Sequence, residues 1–196
     1  MKKLIRIGLL SVALLATVAA NASNKLNVKV TSENSKILSI SLEEVTLGET
    51  LSIRDNQGVV LFSEELKEAH EYNKVFNFST LPVGLYFIDD KDEEKIQSTP
   101  IVVSETNIAL VENSSKTYVA PTITIKDNVM NVFINNEDHS DVSIDVYNQD
   151  GLLLNNSNHN TNTIVLGCFD ISKLHDDKLI VSVTEGDYSF VEEIEL

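Results

Sequence analysis

The sequence predicts an all-β protein: two small tandem β-sandwiches behind a cleaved leader. Three observations lead there. The N-terminus is basic and then apolar, the hydrophobic pattern of the rest has a period of two, and that pattern recurs at an offset of 93 residues.

The leader comes first. Lys2, Lys3 and Arg6 precede an uncharged run from Ile7 to Ala20, and Ala20-Asn21-Ala22 supplies the small-x-small pattern of a cleavage site. The run is shorter than the roughly 20 apolar residues that cross a bilayer. Residues 1–22 therefore read as a secretory signal peptide, with a mature chain from Ser23 and no membrane span after cleavage. The whole chain carries 15 Lys plus Arg against 30 Asp plus Glu, a net charge of −15. Without the three basic residues of the leader it is −18. Nucleic-acid binding rests on neutralising phosphates with Lys and Arg, so that class is excluded, as is docking on an anionic membrane surface.

Alternation marks the strands in turn. Leu38-Ser39-Ile40-Ser41-Leu42 alternates apolar and polar residues and predicts a half-buried strand. Leu51-Ser52-Ile53-Arg54 and Val59-Val60-Leu61-Phe62 flank Asp55-Asn56-Gln57-Gly58, a hairpin connection in which Gly58 takes the left-handed conformation. Ser63 to Glu71 reads as a loop linking strands. The second half repeats the scheme. Val142 to Tyr147 alternates throughout, Asn148-Gln149-Asp150-Gly151 is its hairpin connection, and Asn155 to Asn162 is expected to be a loop.

The repeat sets the domain plan. Asp55 to Leu61 recurs as Asn148 to Leu154, and Phe76 to Leu81 recurs as Phe169 to Leu174, both offset by 93. Ile37 to Leu42 fits Val129 to Ile134 at 92. The expected organisation is a first sandwich over 23–103, a connector over 104–117 and a second sandwich over 118–196.

Asn56-Gln57-Gly58-Val59-Val60, then Phe76 to Leu81 continuing through Pro82-Val83-Gly84-Leu85-Tyr86-Phe87-Ile88, then Lys95 to Val103, resembles the C-terminal sorting domain of the type IX secretion system of Bacteroidota. The resemblance implies a small immunoglobulin-like sandwich in each unit and export machinery or a cell-surface protein as partner. It implies location in the periplasm, on the outer-membrane surface or outside the cell. It also implies structural roles for particular residues: Leu81 plugs the core, Gly84 permits a tight turn, and Tyr86 sits in a central strand. Gly58, Gly151 and Leu174 occupy the matching positions of the repeat. The second unit has Leu174-His175-Asp176-Asp177-Lys178-Leu179 where the motif's Gly and Tyr belong, and ends without the basic strand.

No catalytic, cofactor or metal site is expected. The chain lacks a nucleophile elbow, a phosphate-binding Gly loop, a His-Glu-x-x-His and a Cys pair. His70, His139, His159 and His175 stand apart in polar contexts, and Cys168 is expected to be a buried small apolar side chain. The acidic runs Asp89 to Glu94 and Asn135 to Asp141 read as solvated hairpin tips. The function expected is that of an exported non-catalytic interaction or structural module. Two alternatives stay open: a divergent type IX sorting domain, and a secreted Ca²⁺- or glycan-binding module with Tyr72 and Tyr118 as candidate aromatics.

Overall fold

The computed structural model describes residues 26–31, 35–67, 69–160, 162–174 and 176–196. The expected signal peptide and His175 lie outside the described residues. Within them the chain is all β, with no helix assigned.

The first half builds two facing sheets. β1 (Asn27–Val30), β2 (Ile37–Val45) and β5 (Ala69–Asn77) pair in the order β1-β2-β5. Opposite them lie β3 (Thr50–Asp55), β4 (Val60–Glu65), β6 (Gly84–Lys91) and β7 (Lys95–Val103), in the order β4-β3-β6-β7. Alternation on β2 sends Leu38, Ile40 and Leu42 inward, where they meet Leu51, Ile53, Ile88 and Ile101 from the other sheet. This is an aligned sandwich, with apolar residues interdigitating between two pleated faces.

The second half repeats the architecture. β10 (Thr122–Lys126), β11 (Val129–Asn135) and β14 (Ile164–Asp170) form one sheet. β12 (Val142–Asn148), β13 (Leu153–His159), β15 (Lys178–Glu185) and β16 (Tyr188–Glu195) form the other, in the order β13-β12-β15-β16. Met130, Val132, Ile144, Val146, Leu179 and Val181 fill a second, separate core.

The repetition extends to individual hydrogen bonds. Leu38 pairs with Phe76 and Met130 with Phe169; Leu51 pairs with Glu64 and Asp90, while Ile144 pairs with Ser157 and Val183. A register shift between Ile53 and Arg54 recurs between Val146 and Tyr147. Each hairpin turn closes through the same bonds. Asp55 Oδ1 accepts from the N–H of Gln57 and Val59, and Asn148 Oδ1 from Asp150 and Leu152. Gly58 and Gly151 then take φ of 81° and 79°, a region that an L side chain rarely enters.

Several sequence expectations need correction. The segment expected to be a loop from Ser63 to Glu71 lies largely in β4 and β5, and most of Asn155 to Asn162 is strand β13. Asn-rich composition disfavours strand on propensity, but pairing along β12 overrides it. Cys168 is exposed, because β14 turns Val165, Gly167 and Phe169 inward and leaves Cys168 on the opposite face. Asp89 and Asp90 are buried on β6, so only the remainder of that acidic run forms a hairpin tip. The segment after Val103 adds two strands to the first half's larger sheet. β8 (Ile108–Leu110) pairs with Ile101–Val103 and β9 (Lys116–Val119) with Lys95–Ser98, both on β7.

Candidate functional site: the junction between the sandwiches

Side chains that face outward from β3, β6 and β7 normally meet water. Here Arg54, Asp89, Ile96 and Ser98 are buried, because the β15–β16 hairpin of the second sandwich lies over them. Arg54 Nε donates to Asp89 Oδ2 at 2.8 Å. The Tyr188 hydroxyl accepts from Arg54 Nη2 and lies 2.7 Å from Asp89 Oδ1 and 2.6 Å from Ser98 Oγ. With one proton to give, the phenol donates to the Asp89 carboxylate and Ser98 donates to it. The Arg54 guanidinium lies 4.1 Å from the centre of the Phe87 ring and 4.8 Å from that of Tyr188. Burial first, with the Asp89 charge adding to it, raises the Tyr188 phenol well above its ordinary range, so it stays a donor.

An apolar layer completes the contact. Ile96, Tyr118, Tyr188 and Phe190 form a small core, with the two tyrosine rings 4.4 Å apart. Tyr118, considered above as a ligand aromatic, is thus buried, and burial pushes its phenol up to about 12. At the rim Lys116 Nζ reaches Asp138 Oδ2 at 3.3 Å. Glu185 lies beside them, buried, with its Oε2 lacking a hydrogen-bond partner among the described residues. Burial, then the nearby Asp138 charge, pushes its carboxyl up to about 7 despite the opposing effect of Lys116.

A cleft of about 450 Å³ opens beside this cluster, lined among others by Ser52, Arg54, Gly58, Lys91, Asp187 and Ser189. Its buried polar groups bond to one another, which suits a rigid contact more than a reacting centre. Among the described residues no group of three His, Cys, Asp or Glu side chains is placed to hold a metal ion.

The structure distributes the six motif residues along the fold. Gly58 lines the cleft, and Gly151 sits at the matching turn. Leu81 and Leu174 each pack partly buried against their own core, with N–H donating to Phe78 O and Ile171 O. Tyr86 is buried in β6, the strand between β3 and β7, and its hydroxyl donates to Pro82 O at 2.9 Å. Gly84 opens β6 without a positive φ, and a Cβ there would meet Tyr86 Cε2 at 3.7 Å, an ordinary contact. Sequence reasoning missed Arg54, Asp89 and Tyr188. A signal was present: Arg54 and Asp89 are charged where the repeat has Tyr147 and Ser182.

Residues 22–104 match the family described as secretion system C-terminal sorting domain, which bears out the resemblance for the first sandwich. No curated protein matches the chain significantly. Among solved structures, the chain is similar to a biofilm-associated protein BSP domain, with 14% identity and a TM-score of 0.31, over 87% of this chain and 29% of that one. It is also similar to an α-2-macroglobulin fragment of Escherichia coli, with 9% identity and a TM-score of 0.31, over 89% and 100%. The central fibronectin-III array of a RIM-binding protein gives 10% identity and a TM-score of 0.27, over 87% and 95%. The chain therefore spans under a third of the length of the first of these structures.

Proposed function

We propose, taking the sorting-domain match over residues 22–104 as the premise, that the chain is an exported, non-catalytic module that acts by binding, and that its first sandwich engages the type IX export machinery. The observation that carries this reading is the coincidence of the match with one sandwich core, of which it spans every buried apolar residue but Ile108. The motif from Leu81 to Ile88 enters β6 at the centre of the larger sheet, and Tyr86 and Ile88 belong to the core it closes. Support for a binding role comes from the same architecture: two filled cores, and a junction in which Arg54, Asp89, Tyr188 and Ser98 bond to one another.

The test fuses a reporter carrying a secretory leader ahead of residues 23–196, in a type IX competent host and in a matched strain lacking the system. Protease-accessible reporter on the surface of the first strain alone is the expected result. Retention in the periplasm of both strains removes the sorting role and leaves an exported interaction module.

A further inference from the structure

The two sandwiches share their register but not their outer surfaces. On the smaller sheet of the second, cross-strand pairs place Phe133 beside Leu166 and Asn135 beside Ile164, all directed away from the core. Phe133, Leu166 and Ile164 are 42%, 55% and 61% exposed. The matching positions of the first sandwich hold Ser41, Asn73 and Glu71, themselves paired in the same register. The fold therefore does not require apolar residues there.

Charge is also depleted on this face. In a chain of net −15, its strands carry one cation, Lys126 on β10, and one anion, Asp170 on β14, at opposite ends of a single row through Val129, and Glu137 from the following loop reaches Asn135 at 2.9 Å. Apolar centres stripped of charge characterise protein interfaces, and ordinary monomer surfaces rarely combine the two.

We propose that this face is a self-association surface and that its occupant is a second copy of the chain, related by a two-fold axis parallel to the strands. Such an axis stacks Phe133 on its own copy, as in aligned sheet packing. It also exchanges the two edges of the sheet, so that Lys126 faces the partner's Asp170 and Asp170 faces the partner's Lys126. Glu137, bonded to Asn135 at the end of the central strand, is brought toward its own copy and opposes the contact there. Three strands and four rows cover roughly 15 by 25 Å at ordinary strand spacing. That lies below the roughly 800 Å² per partner of a standard interface, so the dimer is a weak one. The proposal does not depend on the route of export.

Sedimentation equilibrium of the mature chain tests it, from about 10 μM to about 1 mM, the range in which a weak dimer forms. Reducing buffer prevents the exposed Cys168 from linking copies. A reversible monomer–dimer equilibrium is expected. The double variant Phe133→Ser, Leu166→Asn installs the residues that the first sandwich carries, so folding and the melting temperature should hold while dimerisation falls at least about tenfold. Lys126→Asp or Asp170→Lys alone should weaken the dimer, and the two together should restore it. A wild-type chain that stays monomeric throughout overturns the proposal, as does a dimer insensitive to Phe133→Ser, Leu166→Asn. Failure of the paired charge exchange to rescue overturns the two-fold arrangement.

Discussion

Asp90 is a buried carboxyl set beside a second one, Glu49. Burial first, then its hydrogen bond to Glu49, pushes it up to about 8, while Glu49 Oε2 accepts from the Thr46 N–H at 2.8 Å. A carboxyl raised in the folded state stabilises the fold fully below its unfolded value near 4, and that contribution is lost as pH rises through about 8. The melting temperature of the first sandwich should therefore fall between about pH 4 and 8. Asp90→Asn keeps a donor toward Glu49 at every pH and should flatten that slope, as thermal melts at a series of pH values would show. Close approach sets a second residue-scale limit. A Cβ at Gly167 would meet Ile144 Cδ1 at 2.7 Å and Phe169 Cε2 at 2.9 Å, inside the second core. Gly167→Ala should cost about 1–3 kcal/mol in urea unfolding, the usual range for overpacking.

Among the elements, β8 is the one whose contribution exceeds its length. Ile108 is fully enclosed with Leu38 and Val103 in the first core, although it follows the repeat. Ile108→Ala should destabilise the first sandwich by about 2–5 kcal/mol by denaturant titration, as for other buried aliphatic truncations. β8 also marks where sequence reading stopped. Alternation identified β2, β3 and β12, since each exposes one face to a core and the other to polar surroundings. The repeat carried the hairpin turns as well, because Asp55 and Asn148 cap the same loop before a glycine. Edge strands were harder. β9 and β13 owe their structure to a neighbour's unpaired backbone, which no local pattern in Asn155 to His159 or Lys116 to Val119 announces. The junction was illegible for the same reason: Asp89 and Tyr188 lie 99 residues apart and meet only when both hairpins are placed.

Across the whole molecule, the Tyr188 cluster links the two sandwiches. Its hydroxyl reaches groups on β3, β6 and β7, and its ring meets Tyr118. Tyr188→Ala leaves the Arg54–Asp89 pair facing a hole. Calorimetry should then resolve two unfolding transitions where the wild type shows tighter coupling. The junction is also the site of a second raised carboxyl. Glu185, pushed up to about 7 by burial and by Asp138, stabilises the contact below about pH 4.5, and this is lost as pH rises through 7. Near-UV circular dichroism of the Tyr118–Tyr188 pair should weaken across that interval, and Glu185→Gln should hold it constant.

The two strands that β7 acquires from beyond the repeat bear on how such a chain can be inherited. A genetic segment copied at the repeat boundary, ending at Val103, would carry the strand pattern but leave the outer backbone of β7 bare, a template for promiscuous pairing. In the first sandwich the chain from Ile108 through Val119 supplies that cover, whereas in the second the counterpart strand β16 stands at the edge of its sheet. The cover thus lies outside the repeat, and only one of the two units has it.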